Sequence, residues 1–262
     1  MPLKLNRLTP QTLRDAAYQE IRRAVLLGNF EPGEAITIRE LCEALGIGLS
    51  PVREGVQLLA SQGALEVLPN RSVRVPVRTE EDLTKLFEAR QLVEGFATEQ
   101  AAPHMQPSDV TKLTRLLDDV HDAQARSEPE AGLKANFEFH FLIYRHAQSP
   151  YLLDSIERLW LAVGPLLAAP YRASPAAQQH YAGAKNDHFH LIDAIKAGDG
   201  KLAGELVRRV LRHSLTWYLA HCVGENATLK SDARTVTIRG SSRAGRAAAG
   251  TRPTQKRLAA RR

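Results

Sequence analysis

The amino-acid sequence predicts a mainly α-helical protein with an N-terminal winged helix-turn-helix domain and a C-terminal antiparallel α-helical bundle. Between residues 33 and 76, two helical patterns flank a short polar turn, and two short apolar runs joined by a basic turn follow them. Beyond Pro76, apolar residues recur only at helical spacing, with Pro or Gly near the ends of the runs. We therefore assign residues 1–78 to the first domain, 79–224 to the second and 225–262 to a basic tail that we expect to be disordered.

Local capping signals bound the first two helices. The first helix is predicted over about Thr9 to Leu27, because its first residue can cap the start and Gly28 can end it. Thr37 followed by Glu40 is a capping-box pattern that opens the second helix, and Gly46 ends that helix.

The third helix has an inner and an outer face. It is predicted to begin between Gly48 and Pro51 and to end near Gly63. Its inward positions are Val52, Val56, Leu59 and Gly63. This arrangement leaves Arg53 and Gln57 together on the outward face.

A two-stranded wing is predicted after the third helix. Apolar runs cover about residues 65–68 and 73–77, and a Pro69–Asn70 turn joins them. Arg71 near the tip and Arg74 make this hairpin basic.

Repeated start and stop signals predict the bundle. Thr79 with Asp82 caps a helix that ends near Pro103. The helices that follow are predicted over residues 108–126, 131–147, 150–168, 175–197 and 200–222. Because the connections are short, neighbouring helices are expected to be antiparallel.

The net charge of +6 comes mainly from the tail. Residues 225–262 carry ten Lys or Arg against two Asp or Glu, whereas residues 79–224 are mildly acidic. The tail can add nonspecific attraction to nucleic acid through counterion release, or it can be a solvated, dispensable segment.

The sequence predicts a cytoplasmic protein without a membrane segment. No apolar run approaches the roughly 20 residues that span a bilayer, and the first residues lack the apolar core of an export signal. Cys42 and Cys222 lie in apolar helical patterns and do not suggest a disulfide framework.

Three motifs of the first domain carry a family resemblance: Arg39, the run Pro51-Val52-Arg53-Glu54 and the turn Pro69-Asn70-Arg71. With them, residues 10–77 resemble the winged-helix domain of the GntR family of bacterial transcriptional regulators. Residues 80–222 are similar to the all-helical effector (FCD) domain of the FadR-type branch. The landmarks of this second match are Arg90 to Glu94, Phe139-His140, His188, Ala194-Ile195 and Gly198-Asp199.

The resemblance implies which residues contact double-stranded DNA. In the family, basic residues at the positions of Arg39 and Arg53 contact DNA, and guanidinium groups can bind guanine or phosphate. The expected contacts are Arg39, Leu49, Ser50, Arg53, Gln57, Arg71 and Arg74. Leu49 replaces an arginine that is usual in the family, so it could contact a thymine methyl group, or the affinity for DNA could be lower.

The resemblance also raises the question of a metal. One large group of these effector domains holds a divalent metal, such as Zn, Ni or Mn, through an Asp or Asn and three histidines. Asn136, His140 and His188 match the first three positions, but Val210 occupies the fourth and cannot bind a metal. His213, one helical turn further on, could substitute for it. Alternatively, the first three residues line a cavity as hydrogen-bonding groups, or one is a core histidine.

Arg90 lies on the apolar stripe of its helix and needs a partner if it is buried. That partner is either Glu94, one turn on, or the carboxylate of a small-molecule effector. Tyr144 and Trp160 are either aromatic walls of an effector site or core residues. The expected effector-binding residues are Arg90, Asn136, His140, Tyr144 and His188.

The leading hypothesis is a homodimeric repressor, not an enzyme, that binds an inverted-repeat operator and a small organic-acid effector. A nonspecific DNA binder that depends on its tail and needs no effector is the second hypothesis. A metal-dependent hydrolase is the third, although the sequence has no nucleophile elbow, His-Glu-x-x-His pair or phosphate-binding glycine loop.

Overall fold

The computed structural model describes the backbone of residues 13–69, 72–172 and 175–223, together with their side chains except those of 172–185. All these residues belong to one compact unit. The helices are α1 (Leu13–Leu26), α2 (Ile38–Leu45), α3 (Leu49–Ser61), α4 (Glu80–Ala101), α5 (Pro107–Ala125), α6 (Pro129–Arg145), α7 (Pro150–Leu167), α8 (Ala169–Arg172), α9 (Pro175–Lys196) and α10 (Gly200–His221). The strands are β1 (Ala35–Thr37), β2 (Glu66–Val67) and β3 (Ser72–Arg74). The predicted mainly α-helical fold is confirmed. The predictions for Thr9, Arg71 and the tail concern residues outside the described ranges.

The first domain is a helix-turn-helix with a small antiparallel sheet, in which β1 precedes α2 and β2 and β3 follow α3. Its core residues are Ile21, Val25, Ile38, Leu41, Val52, Val56, Leu59, Ala64, Leu65, Val73 and Val75. β3 lies between β1 and β2. The sequence analysis did not predict β1, because three residues before the cap of α2 are too few to show an alternating pattern. Gly63 was expected in the core but is exposed, and its φ of +72° terminates the helix.

The second domain is a helical bundle whose long helices agree with the predicted ranges to within two residues. The Thr79 side chain accepts a hydrogen bond from the Asp82 amide at 3.1 Å and so caps α4 as expected. A 3-10 turn at Ala102–His104 and the short helix α8 were not predicted, since neither is long enough to show helical periodicity. No helix among the described residues is long and apolar enough to cross a membrane.

Helix α7 is shared by the cores of both domains. Its residues in the core of the second domain are Ile156, Trp160, Val163 and Leu167. On the other side Glu157 Oε2 lies 2.8 Å from Arg22 Nη2 of α1, and Leu161 is buried in the core of the first domain. Further along, a Cβ at Gly164 would lie 3.0 Å from the Val25 carbonyl oxygen. The two sets of positions recur every three or four residues, so they form two faces of one helix.

Gly28 ends α1 where the two domains meet. Its φ of +65° is a left-handed conformation that favours glycine. A Cβ on Gly28 would also lie only 2.7 Å from Cβ of Ala168, the residue that follows α7. Backbone conformation and lack of space therefore both require glycine at this position.

We predict that Gly28→Ala destabilises the protein more than Gly46→Ala does. Both glycines have a φ of +65°, so each alanine adds left-handed strain of about 1–2 kcal/mol. Only Gly28→Ala also presses a methyl group against Ala168, which adds about 1–3 kcal/mol of overpacking; a Cβ at Gly46 meets nothing within 4 Å. Urea unfolding measures the difference, and equal losses would contradict a tight contact between α1 and α7.

Candidate functional site

Caps fix the turn between α2 and α3. The Glu40 amide donates to Thr37 Oγ1 at 3.1 Å, and the Thr37 amide donates to Glu40 Oε2 at 2.7 Å, which confirms the predicted capping box. The hydrogen bonds that the Thr37 amide and hydroxyl donate to the Glu40 carboxylate lower the pKa of Glu40, and its negative charge suits the N-terminus of a helix. Gly46 then ends α2 in a left-handed conformation, and Gly48 is the N-cap of α3.

The inner face of α3 anchors it to α1. Val52, Val56 and Leu59 are at most 1% exposed. Gly55 allows a close approach, because a Cβ there would lie 3.0 Å from the backbone nitrogen of Tyr18. With this face buried against α1, the opposite face of α3 is turned away from the domain.

The predicted DNA contacts on α2 and α3 lie on the surface. The exposed residues of α3 among them are Leu49, Ser50, Arg53 and Gln57. Leu49, Arg53 and Gln57 are four residues apart and therefore share one helix face. On α2 the Arg39 side chain is 88% exposed and lies 2.9 Å from Glu43. An ion pair this exposed is weak, so Arg39 can exchange Glu43 for a phosphate at little cost.

Arg74 of the wing is already paired within the sheet. Strand pairing places it opposite Glu66, and Arg74 Nε lies 2.7 Å from Glu66 Oε2. A contact between Arg74 and DNA would have to compete with this pair, and the contact stays a prediction.

A buried polar network crosses the second domain from α4 to α6. The Arg90 Nε donates to Glu94 Oε1 at 2.6 Å, and the Arg90 Nη2 donates to Glu94 Oε2 at 3.3 Å. The Tyr144 hydroxyl donates to Glu94 Oε2 at 2.6 Å and lies 3.3 Å from His140 Nδ1. Arg90, Glu94, His140 and Tyr144 are each at most 5% exposed. Of the two partners that the sequence left open for Arg90, the structure shows Glu94.

Burial and charge set the protonation of this network. Burial lowers the pKa of Arg90, but the Glu94 carboxylate raises it above its ordinary value, so Arg90 is charged. Burial, followed by the Glu94 carboxylate, raises the pKa of Tyr144 well above its ordinary value. Burial, with His188 and Arg90 nearby, holds the pKa of His140 well below its ordinary value, so this ring is neutral.

The network also assigns the tautomer of His140. The single hydroxyl proton of Tyr144 is donated to Glu94, so Tyr144 can only accept from His140. His140 therefore carries its proton on Nδ1, and Nε2 is left as a hydrogen-bond acceptor. Such a site offers both a cation and a neutral acceptor in a buried environment.

Aromatic rings enclose the network. The Arg90 guanidinium carbon lies 4.9 Å from the ring centroid of Phe87 and 5.1 Å from that of Trp160. The His140 ring lies 5.5 Å, centroid to centroid, from both Trp160 and His188. Tyr144 is thus a hydrogen-bonding member of the cluster, and Trp160 packs against both Arg90 and His140. Asn136 is half-buried one helical turn before His140.

Two family models match the chain along most of its described length. The model of bacterial regulatory proteins of the gntR family matches residues 13–75, and that of the FCD domain matches residues 85–213. The chain belongs to the GntR family. It is a transcriptional regulator rather than an enzyme. Regulators of this family bind DNA through the first domain and small-molecule effectors through the FCD domain.

Relatives cover both domains. The HTH-type transcriptional regulator McbR of Escherichia coli strain K12 is 28% identical over 198 residues, which cover 75% of this chain and 88% of McbR. The solved structure of E. coli McbR/YncC has a TM-score of 0.72 at 26% identity and covers 79% of this chain and 98% of that chain. A Paenarthrobacter nicotinovorans protein named "Probable D-xylose utilization operon transcriptional repressor" is 28% identical over 216 residues, covering 82% of this chain and 88% of its own length.

The described residues do not fit the divalent metal that the FCD resemblance suggested. Val210 is 3% exposed at the fourth ligand position and has no donor atom. His213 is engaged elsewhere, since its Nδ1 lies 2.9 Å from Asp187 Oδ2. Within the described part of the chain, no group of three or more His, Cys, Asp or Glu side chains is arranged to hold a metal ion. The described residues therefore do not add to His140 and His188 the further ligands that a divalent metal requires.

The sequence analysis missed Asp187, which joins α9 to α10. Its side chain is 7% exposed, and its two oxygens contact Arg209 and His213. Arg209 Nε donates to Asp187 Oδ1 at 2.8 Å across a separation of 22 residues. A separation this long gives no helical spacing signal, so only the position of Asp187 next to His188 could have drawn attention to it.

We predict that Glu94→Gln strongly destabilises the protein. The change leaves Arg90 charged without a buried counter-charge, a loss of about 3–5 kcal/mol. Glu81→Gln is the matched control, because the Glu81–Lys85 pair has the same spacing on the same helix but is 75% and 67% exposed, and it should cost about 1 kcal/mol or less. Adding Arg90→Met to Glu94→Gln should recover part of the loss, which chemical denaturation measures. A double variant as unstable as Glu94→Gln alone would contradict this account.

We also predict that metal has no effect on folding. Purified protein treated with EDTA should keep its melting temperature, and added Zn²⁺, Ni²⁺ or Mn²⁺ should not raise it, because the described residues supply too few ligands. Thermal unfolding combined with metal analysis measures this. A stoichiometric metal that disappears in His140→Ala would show the opposite.

Proposed function

We propose that the protein is a homodimeric repressor that binds an inverted-repeat operator and is controlled by a small organic acid bound in its FCD domain. The observation that carries the effector class is the buried guanidinium of Arg90. A guanidinium has five N–H donors in one plane, and Glu94 engages two of its three nitrogens. The remaining donors, beside the neutral His140 and Tyr144, suit a carboxylate better than an uncharged ligand.

The repressor and dimer parts of the proposal draw on other support. The relatives include proteins named as repressors, among them the transcriptional repressor GlaR of E. coli, which is 26% identical over 199 residues. A twofold dimer of winged helices would place two copies of α3 on two half-sites of opposite orientation.

Because its target is genomic DNA, we place the protein in the bacterial cytoplasm. The proposed division is a DNA-binding domain over 1–78, an effector and dimerisation domain over 79–224 and a basic tail over 225–262.

The exposed face of α3 supports sequence-specific reading of DNA. Arg53 and Gln57 can form hydrogen bonds with base edges, and Arg39 can hold the adjacent phosphates. Leu49 is 50% exposed near the start of the helix, where it offers only apolar contact. We therefore expect an operator with a thymine methyl group near this position.

Selection of fragments from the source genome tests the proposal against nonspecific binding. The full-length protein is incubated with fragmented DNA at moderate salt, and the retained fragments are sequenced. A shared short inverted repeat supports a dimeric regulator. Retention without a motif, lost when residues 225–262 are removed, would instead support the tail-dependent nonspecific binder.

We predict that Arg53→Ala weakens binding to the recovered operator by about tenfold to a hundredfold, the size expected for one base-reading arginine. The loss should be much smaller on scrambled duplex, because phosphate contacts remain. Arg126→Ala is the control, since Arg126 is an exposed arginine of the second domain that pairs with Glu128. Fluorescence anisotropy at fixed salt measures the affinities. Equal losses on operator and scrambled DNA would mean that Arg53 does not read bases.

A further inference from the structure

Trp160 of α7 carries a buried hydrogen-bond donor without an acceptor among the described residues. The residue is 1% exposed, and its indole Nε1 makes no hydrogen bond within that part of the chain. Buried indole N–H groups normally find a partner, because an unpaired buried donor is destabilising. The unpaired donor therefore needs an explanation from its surroundings.

The surroundings of Trp160 are the polar network of the second domain. Its ring centroid lies 5.1 Å from the guanidinium carbon of Arg90. The centroid of the His140 ring is 5.5 Å away. The rings of Phe137 and Phe141 also pack against the Trp160 ring, at centroid distances of 5.7 Å and 5.3 Å. The one carboxylate of the network, Glu94, is already bonded to Arg90 and Tyr144. The charged guanidinium therefore neighbours the ring that carries the unpaired donor, and the carboxylate of the network is already bonded.

We infer that the indole N–H of Trp160 donates a hydrogen bond to an oxygen atom of the bound effector, and that Trp160 and Arg90 together select for an anionic oxygen ligand. The inference rests on the proposed effector site and names a further residue of it. An indole can only donate, so it favours carboxylate or hydroxyl oxygens over amines. A carboxylate with one oxygen at Arg90 and one at Trp160 would satisfy both groups.

The position of Trp160 also connects this site to the DNA-binding domain. The next residue, Leu161, is buried in the core of the first domain. A ligand that contacts Trp160 therefore contacts a helix that contributes buried residues to both cores. Regulation of DNA binding requires such a shared element, which ligand binding can bias.

The test observes the indole proton directly in the full-length protein. The chain has two tryptophans, so ¹⁵N-tryptophan labelling gives two indole resonances, and Trp217→Phe assigns them. Trp217 is an internal reference, because it is 3% exposed in α10 and stacks on His221. The probes are the sodium salts of acetate, lactate, malate, citrate, gluconate and benzoate, with sodium chloride at matched ionic strength as the blank. Melting temperature is recorded for each probe alongside the spectrum.

The inference predicts that at least one probe raises the melting temperature and moves the Trp160 indole proton downfield, while Trp217 stays in place. For that probe, Trp160→Phe should raise the Kd about tenfold or more, as expected for a hydrogen bond to a charged group, and Trp217→Phe should not. A probe that stabilises the protein and leaves the Trp160 resonance unmoved overturns the inference but not the proposed effector class. If no probe stabilises the protein, the organic-acid part of the proposed function fails and this inference fails with it.

Discussion

The packing of α1 on α7 is the contact on which the rest of the structure depends. α3 packs on α1 through the close approach of Gly55 to Tyr18, and α7 is embedded in the bundle through Ile156 and Trp160. The contact includes Leu161 and the Arg22–Glu157 ion pair, and Gly164 lets the two backbones lie close together. Interiors packed this tightly shift between discrete arrangements rather than deforming smoothly. Any change in how α7 sits in the bundle must therefore be accommodated at the base of the DNA-binding domain.

The second constraint is the buried charge at Arg90. A buried ion pair often adds no more stability to a helical core than well-packed apolar residues of the same volume would. The pair is nevertheless fully enclosed, and Glu94 has a second hydrogen bond from Tyr144. The network holds Arg90, His140 and Trp160 in fixed relative positions. Such fixed polar groups in an otherwise apolar core are what a binding site requires, since preorganised donors need not be ordered when the ligand arrives.

Much of the fold could be predicted from the sequence, and the reasons are local. The capping box at Thr37, the cap at Thr79 and the proline and glycine boundaries of the bundle are signals of three or four residues, and the structure has all of them. The sequence analysis missed features that are too short to show a pattern or that join residues far apart in the sequence. β1 has three residues, and Asp187 finds its partner Arg209 in another helix. At the site, Arg90 and Glu94 could be paired from their spacing, but the unpaired donor of Trp160 could be found only from coordinates.

The resemblance to the FCD domain suggested a metal site, but the same comparison puts a valine at one of the expected ligand positions. Val210 has no donor atom at the expected fourth ligand position, and His213, the nearest substitute on that helix, shares the carboxylate of Asp187 with Arg209. His140 donates from Nδ1 to Tyr144 and keeps its second nitrogen as an acceptor. A histidine in this state can accept a hydrogen bond from a ligand hydroxyl as well as bind a metal. Together with the charge of Arg90, this acceptor supports the organic-acid effector proposed above, whose carboxylate would face the guanidinium.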